Sequence, residues 1–285
     1  MSDVPVPGAA PAKQSVDGKA GRNLPVAIAV GLVLAGLCLA SLIWLKWLFV
    51  VLAVVAIWIG TTEVATGMSA RGIKVLKWPI LVAIPLISWA AYTHGPTWFL
   101  ALFAGLILTI MVGQLFHGTD NYVRDTTATI FVAAYLPLML GFAVLTVATA
   151  DGAQRIMVFI ALTVCSDIGG YAAGVLFGKH PMAANISPKK SWEGFAGSML
   201  LQVVVGAGLF VWLLSGQWWA GVMTGAIMTV TATLGDFVES AVKRDLGIKD
   251  MGSIIPAHGG LMDRLDSLIP NAFISWLLFT AFLGS

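Results

Sequence analysis

Charge is what this chain has least of: Asp, Glu, Lys and Arg make up 11% of 285 residues, against 58% apolar residues. Soluble domains carry about a quarter charged residues, so a mean hydropathy of +0.90 excludes a water-soluble globule and implies a polytopic membrane protein. Cysteine is nearly absent. Cys38 and Cys165 both lie inside apolar runs, which excludes a disulfide framework or a thiolate metal centre and leaves two buried apolar side chains. A net charge of +2 goes with the expectation of no nucleic-acid partner.

Residues 1–23 scatter Pro5, Pro7, Pro11, Gly8, Gly18 and Gly21 among small polar residues without an apolar period, and read as a disordered cytoplasmic tail. The first apolar run is as long as a full span, which argues against a signal peptide. The sequence LAGLC ending at Cys38 has Leu37 where lipoprotein processing needs a small residue.

Runs long enough to cross about 30 Å of hydrocarbon as helices occur at 24–43, 47–62, 76–92, 97–116, 126–150, 156–178, 194–215, 218–237 and 267–283. The expected fold is therefore all-α, a polytopic bundle of nine membrane helices within a range of eight to ten. Helices 24–150 form an N-terminal group. Residues 151–285 form a C-terminal catalytic region with cytoplasmic loops at 179–193 and 238–266. With the N-terminus in the cytoplasm, only Lys46 and Arg155 of the sixteen basic residues fall outside, a strong positive-inside bias. Trp44, Trp47, Trp78, Trp98, Trp192, Trp218 and Trp219 sit at span ends as an interface belt.

Against this background residues 236–266 hold six of the fourteen carboxylates, and polar density beside membrane spans needs a ligand to justify it. Asp236, Glu239, Ser240 and Lys243 are spaced i, i+3, i+4 and i+7, one face of a helix. Asp263, Arg264 and Asp266 stand at the entrance to the last span, where carboxylates favour a helix N-terminus. If the two helix ends meet, Asp236 and Asp263 can share a hard cation such as Mg²⁺, which takes carboxylate oxygens and completes its shell with waters and phosphates. Between them Pro256-Ala257-His258-Gly259-Gly260 forms a turn whose glycines allow close backbone approach to an anion.

A second cluster lies upstream. Asp167-Ile-Gly-Gly-Tyr sits within the sixth span, and the following loop runs Ser187-Pro-Lys-Lys-Ser-Trp-Glu-Gly194. Lys189 and Lys190 suit phosphate oxygens, and Asp167, costly at membrane depth unless paired or lining a polar cavity, reads as a functional ligand ahead of a helix-packing partner for a buried Lys. The Gly170, Gly174, Gly178 stripe reads as helix packing. The run Gly174 to Lys179 is one residue short of a P-loop and has His180 in place of Ser/Thr, and Asp151 to Arg155 falls short of the CDP-alcohol phosphotransferase opening. Glu63, His94, His117, Asp120 and Arg124 read as solvated loop or interface residues.

The pattern Ser240-x-Val-Lys-Arg-x4-Lys249-Asp250-x-Gly-x2-Ile-Pro-x-His258-Gly-Gly-Leu-x-Asp263-Arg-Leu-Asp266 resembles the signature of the phosphatidate cytidylyltransferase (CDP-diacylglycerol synthase) family at every specified position. The Ser187 to Gly194 and Asp167 to Tyr171 segments are similar to that family too, so the resemblance spans roughly residues 160–283.

The resemblance implies Mg²⁺-dependent condensation of CTP with phosphatidic acid to CDP-diacylglycerol and pyrophosphate. It makes Asp236, Asp263 and Asp266 the metal acids. Asp236, Asp263, Lys243, Arg244 and His258 are the expected catalytic set, with His258 a phosphate hydrogen bond or turn support rather than a base. Asp167, Ser187, Lys189, Lys190, Ser191, Ser240, Gly259, Gly260 and Arg264 are the expected substrate-binding set. The partners implied are CTP, phosphatidic acid and the bilayer, with a homodimer left open, in a bacterial plasma membrane with the site facing the cytoplasm. A CTP-dependent enzyme on another lipid acceptor is the nearest rival. An ion-coupled transporter, suggested by Asp167, is the rival from another class, though the remaining acids gather at one membrane face.

Overall fold

Hydrocarbon offers backbone groups no partner, so a spanning chain must hydrogen-bond to itself, and the structure is almost wholly helical. A computed structural model of the chain describes residues 33, 36–183, 186–252 and 260–284. The expected tail, much of the 24–43 run, His258 and Gly259 lie outside the described residues.

The helices are α1 (residues 36–44), α2 (Lys46–Ser69), α3 (Lys77–His94), α4 (Pro96–Leu115), α5 (Tyr122–Ala133), α6 (Met139–Ala148), α7 (Gly152–Phe177), α8 (Trp192–Trp212), α9 (Trp218–Asp245), α10 (Met262–Leu265) and α11 (Leu268–Leu283). A π-helical stretch, Ala134–Leu138, joins α5 to α6, and Pro137 lies in it. Counting α5 to α6 and α10 to α11 as single spans, seven of the described helices are long and apolar enough to cross a membrane. The nine expected spans include these seven. Of the other two, α3 is an 18-residue helix with Lys77 and His94 at its ends, and α1 is described only over 36–44.

The 179–193 loop is not irregular: β1 (Pro181–Ala183) and β2 (Ser187–Ser191) pair as an antiparallel hairpin. α2 also runs past the expected end at 62, to Ser69, and within it the Thr62 and Thr66 hydroxyls donate to the carbonyls of Ile59 and Thr62.

Polar ties sort the two ends of the bundle. At one end Lys46 Nζ donates to the carbonyls of Thr149 (2.7 Å) and Ala150 (2.8 Å). There too Arg155 pairs with Asp151 at 2.8 Å and donates to the carbonyl of Gly284. So Arg155 is a structural tie. At the other end Arg71 Nε donates to the Leu246 carbonyl at 2.5 Å and Arg124 Nη2 to that of Gly72 at 2.6 Å. The polar clusters read from the sequence lie at this second end.

Two apolar cores hold the helices. One joins Ile80, Ile84, Phe99, Ile110 and Leu136 of the N-terminal half to Leu246, Met262 and Ile269 of the C-terminal half. The other gathers Phe49, Val147, Ile156, Leu162, Phe210, Met228 and Phe279. The expected tryptophan belt is exposed, from Trp44 to Trp219.

α7, α8 and α9 approach most closely, because small residues meet where helices cross. A Cβ on Gly169 would lie 2.6 Å from the Gly197 carbonyl oxygen, and one on Gly206 2.5 Å from that of Gly221. The Gly170 and Gly174 stripe faces Ser198, Ser191 and Gly194 of α8, the packing role expected of it. Gly169→Ala must push two backbones apart and should cost about 1–3 kcal/mol, read as a lowered thermal midpoint in detergent. Gly36→Ala, in helix α1 where an added Cβ meets nothing within 4 Å, should not lower the midpoint and should raise it slightly, since Ala favours a helix over Gly by about 0.5–1 kcal/mol.

Candidate active site

α9 carries Asp236, Glu239, Ser240 and Lys243 on one face, and the reentry of the chain at α10 brings Asp263, Arg264 and Asp266 to it. The approach depends on Gly235: a Cβ there would sit 2.6 Å from the Asp266 carbonyl oxygen and run into Pro270.

Lys243 is the bridge. Its Nζ lies 2.5 Å from Glu239 Oε2 and 2.8 Å from Asp263 Oδ1, with the Glu239 side chain only 1% exposed. Asp263 Oδ2 accepts the backbone N–H groups of Met251 (2.9 Å) and Gly260 (3.0 Å). Asp263, expected to be the partner of Asp236, therefore holds Lys243 and the backbone at Met251 and Gly260. Asp266 is a neighbouring acid that interacts with Asp236, its backbone lying against Gly235. Among the described residues Glu239 Oε1, which is buried, has no hydrogen-bond partner.

The upstream cluster joins the same place. Ser191 is the N-cap of α8, its hydroxyl accepting from Gly194 N at 3.1 Å, a substitution-sensitive position for helix starts. Glu193 folds back on the turn before the hairpin: its Oε2 accepts the N–H groups of Lys179 (3.1 Å) and His180 (3.2 Å), and its Oε1 meets His180 Nδ1 at 2.6 Å. Thus fixed at both ends, the hairpin extends Lys190 to an ion pair with Asp236. A cleft of about 210 Å³ is lined here by Asp167, Tyr171, Lys189, Lys190, Ser191 and Asp236, among others.

Of the expected residues, then, Asp167, Lys189, Lys190, Ser191 and Asp236 share one cleft, and Lys243, Asp263 and Asp266 adjoin it. Gly260 is buried against Asp263 and Glu63, where a Cβ would lie 3.0 Å and 2.9 Å from their oxygens. Arg264 and Arg244 are exposed, Ser240 is half-buried, and Ser187 sits in register with Ala183 on the hairpin, outside the cleft lining.

Two further residues come from the N-terminal half. Glu63 is not solvated: it is buried, and its two oxygens accept the N–H groups of Leu261 (3.1 Å) and Met262 (2.9 Å) across 198 residues of chain. This places the start of α10. Tyr135, in the π-helical stretch, has a buried hydroxyl that finds no hydrogen-bond partner among the described residues and lies within electrostatic reach of Glu239, Asp266 and Asp236. A π-turn is a common device for aiming a side chain at a site.

Neighbouring carboxylates repel unless a cation or proton joins them, and Lys190 pairs with Asp236. Among the described residues no three His, Cys, Asp or Glu side chains close on one point. The donor set thus fits a hard cation that takes a few carboxylate oxygens and fills its shell with water and phosphate, as Mg²⁺ does.

The match to known proteins follows the whole chain rather than the site alone. The model of the cytidylyltransferase family matches residues 25–282. The chain belongs to the cytidylyltransferase family. It is 41% identical over 278 residues to the phosphatidate cytidylyltransferase of Mycobacterium leprae (strain TN), covering 92% of this chain and 89% of that protein. The phosphatidate cytidylyltransferase of Mycobacterium tuberculosis (strain ATCC 25618 / H37Rv) is 37% identical over 292 residues, 98% of this chain and 89% of the relative. That of Helicobacter pylori (strain J99 / ATCC 700824) is 33% identical over 198 residues. As a member of this family the chain is a membrane-embedded nucleotidyltransferase, with its acid and base clusters at one end of the bundle.

Glu63→Ala strands two buried N–H donors and should cost about 2–4 kcal/mol. Hydrogen exchange at Leu261 and Met262 should accelerate specifically, while amides in the α7 to α8 pair keep their protection; Glu63→Gln, which retains one acceptor oxygen, should fall between.

Proposed function

We propose that this protein is a phosphatidate cytidylyltransferase, joining CTP and phosphatidic acid to give CDP-diacylglycerol and pyrophosphate. The observation that carries the reading is the Lys190–Asp236 pair, which makes one cleft from two segments far apart in sequence, one basic and one acidic. A site that binds a nucleoside triphosphate with a cation needs both.

An oxygen of the lipid phosphate attacks the α-phosphorus of CTP. The new P–O bond forms as the bond from the α-phosphorus to the bridging oxygen breaks, and the electron pair leaves with pyrophosphate. The attacking phosphate is already an anion near neutral pH, so the reaction needs positioning and charge neutralisation rather than a protein nucleophile. Lys189 and Lys190, on the hairpin, meet the triphosphate. Ser191 and the α8 N-terminus offer neutral donors beside them. Lys243, held between Glu239 and Asp263, keeps its charge aimed at the acid cluster, and Arg264 and Arg244 face the lipid headgroup. Asp167 lines the same cleft as Lys190 and Asp236, so it belongs with this site rather than with an ion path through the bundle.

Mg²⁺ would be held by Asp236 and Asp266, with Asp263 the third acid, since an oxygen bonded to Lys243 keeps a lone pair to offer. Bound there, the ion would neutralise charge on the phosphates. The excess of basic residues on one side supports a cytoplasmic site in a bacterial inner membrane, where CTP arrives from water while the acyl chains stay in the bilayer.

The test uses purified protein in detergent with phosphatidic acid, radiolabelled CTP and Mg²⁺. Lipid-extractable label should form, vanish with EDTA, and fall by about 100-fold in Asp236→Asn. A folded wild type that labels no lipid rules the reading out. Asp266→Asn should raise the Mg²⁺ concentration for half-maximal rate more than Asp263→Asn does, because the Asp263 oxygens are already committed to Lys243 and to two backbone N–H groups. Lys190→Met should raise KM for CTP with little effect on KM for the lipid; equal effects on both would refute its assignment to the triphosphate.

A further inference from the structure

Among the described residues several buried hydroxyls find no hydrogen-bond partner, but those of Ser and Thr can turn back to a carbonyl of their own helix. Tyr135 has no such recourse, because its rigid ring carries the hydroxyl away from its own backbone. Glu239 is in a similar position: Oε2 is taken by Lys243 at 2.5 Å, and Oε1 is buried and unpaired. Buried polar atoms left unpaired are costly and rare, and each calls for a reason. One of these two is a donor and the other an acceptor. Of the acids within electrostatic reach of the Tyr135 hydroxyl, Glu239 acts on it most strongly, ahead of Asp266 and Asp236.

The backbone holds Tyr135 in this place. It lies in the π-helical stretch, where Pro137 has no N–H to give to the carbonyl four residues back, and wide turns of this kind recur at functional sites. Phe131, four residues earlier, stacks on its ring with centroids 5.6 Å apart and planes at 14°. On the other side Glu239 heads a chain of contacts, from Oε2 to Lys243, from Lys243 to Asp263 Oδ1 at 2.8 Å, and from Asp263 Oδ2 to the N–H groups of Met251 and Gly260. The open end of that chain is Glu239 Oε1. One water between it and the phenol would accept from Tyr135 and donate to the carboxylate, a bridge nearly as good as a direct hydrogen bond. We propose that Tyr135 is a positioning residue of the reaction: through one internal water its hydroxyl holds Glu239, and so fixes Lys243 between Glu239 and Asp263. The inference rests on the enzymatic reading above and adds to it a residue of the N-terminal half, outside both polar segments.

Tyr135→Phe removes the hydroxyl and keeps the ring and its stacking on Phe131. In the purified full chain it should lower kcat about tenfold, the kind of loss that misplacing a charged group brings, and leave KM for CTP and for phosphatidic acid unchanged. An unchanged kcat, or a KM that rises for either substrate, overturns the assignment. Glu239→Gln should lower kcat as well, and adding Tyr135→Phe to it should cost no more than about twofold further, because residues that act as a unit are not additive; losses that multiply in full overturn the link. A second readout needs no turnover and no purified activity: 3-fluorotyrosine placed at 135, followed by fluorine NMR in nanodiscs. Its resonance should move more in Glu239→Gln than in Asp266→Asn, which alters a neighbouring charge without touching the bridge. Equal movement, or none, overturns the link to Glu239. A wild type that makes no CDP-lipid would sink the enzymatic reading, while the fluorine resonance still decides whether Tyr135 is joined to Glu239.

Discussion

Gathering Asp167, Asp236, Glu239, Asp263 and Asp266 at one end of a hydrocarbon bundle is the constraint on which the rest of this molecule depends. Carboxylates in low dielectric are costly unless paired and hydrogen-bonded, and Asp236, Glu239 and Asp263 each have a lysine partner. Lys190 comes from the hairpin to Asp236, and Lys243 lies between Glu239 and Asp263. Backbone N–H groups of Met251 and Gly260 finish Asp263. Among the described residues the buried Glu239 Oε1 and the Tyr135 hydroxyl find no hydrogen-bond partner.

Close packing is what keeps this arrangement in place. The glycine crossings of α7 on α8 and α8 on α9 set the hairpin beside α9, and Gly235 lets Pro270 and Asp266 come up against it. Within the same layer Asn271 links Thr231 of α9 to Thr163 of α7, a polar rung where hydrocarbon packing alone would leave the helices free to slide.

The all-α class, the span positions and both polar segments were legible because each rests on a strong local signal: unbroken apolar runs, and charge where charge is rare. What was not legible depended on contacts between distant parts. Glu63 reads as solvated because the apolar run stops at Thr61 and a lone acid at a span end has no visible partner; its partners are backbone groups at 261 and 262, which no side-chain pattern announces. Tyr135 looks like one more aromatic in an apolar run, since nothing local marks the π-turn apart from Pro137. Asp263 and Asp266 are one turn apart, and which of them meets Asp236 is set by the Gly235 crossing. The hairpin was hidden by its brevity.

Glu63 also ties the site to the order in which the chain is made. α2 leaves the ribosome near the beginning and α10 near the end, so the carboxyl that positions Leu261 and Met262 enters the bilayer long before the groups it holds exist. The catalytic end cannot assemble helix by helix. It closes only when the last segment returns to one of the first, and a chain halted before α10 inserts its helices yet has no active site.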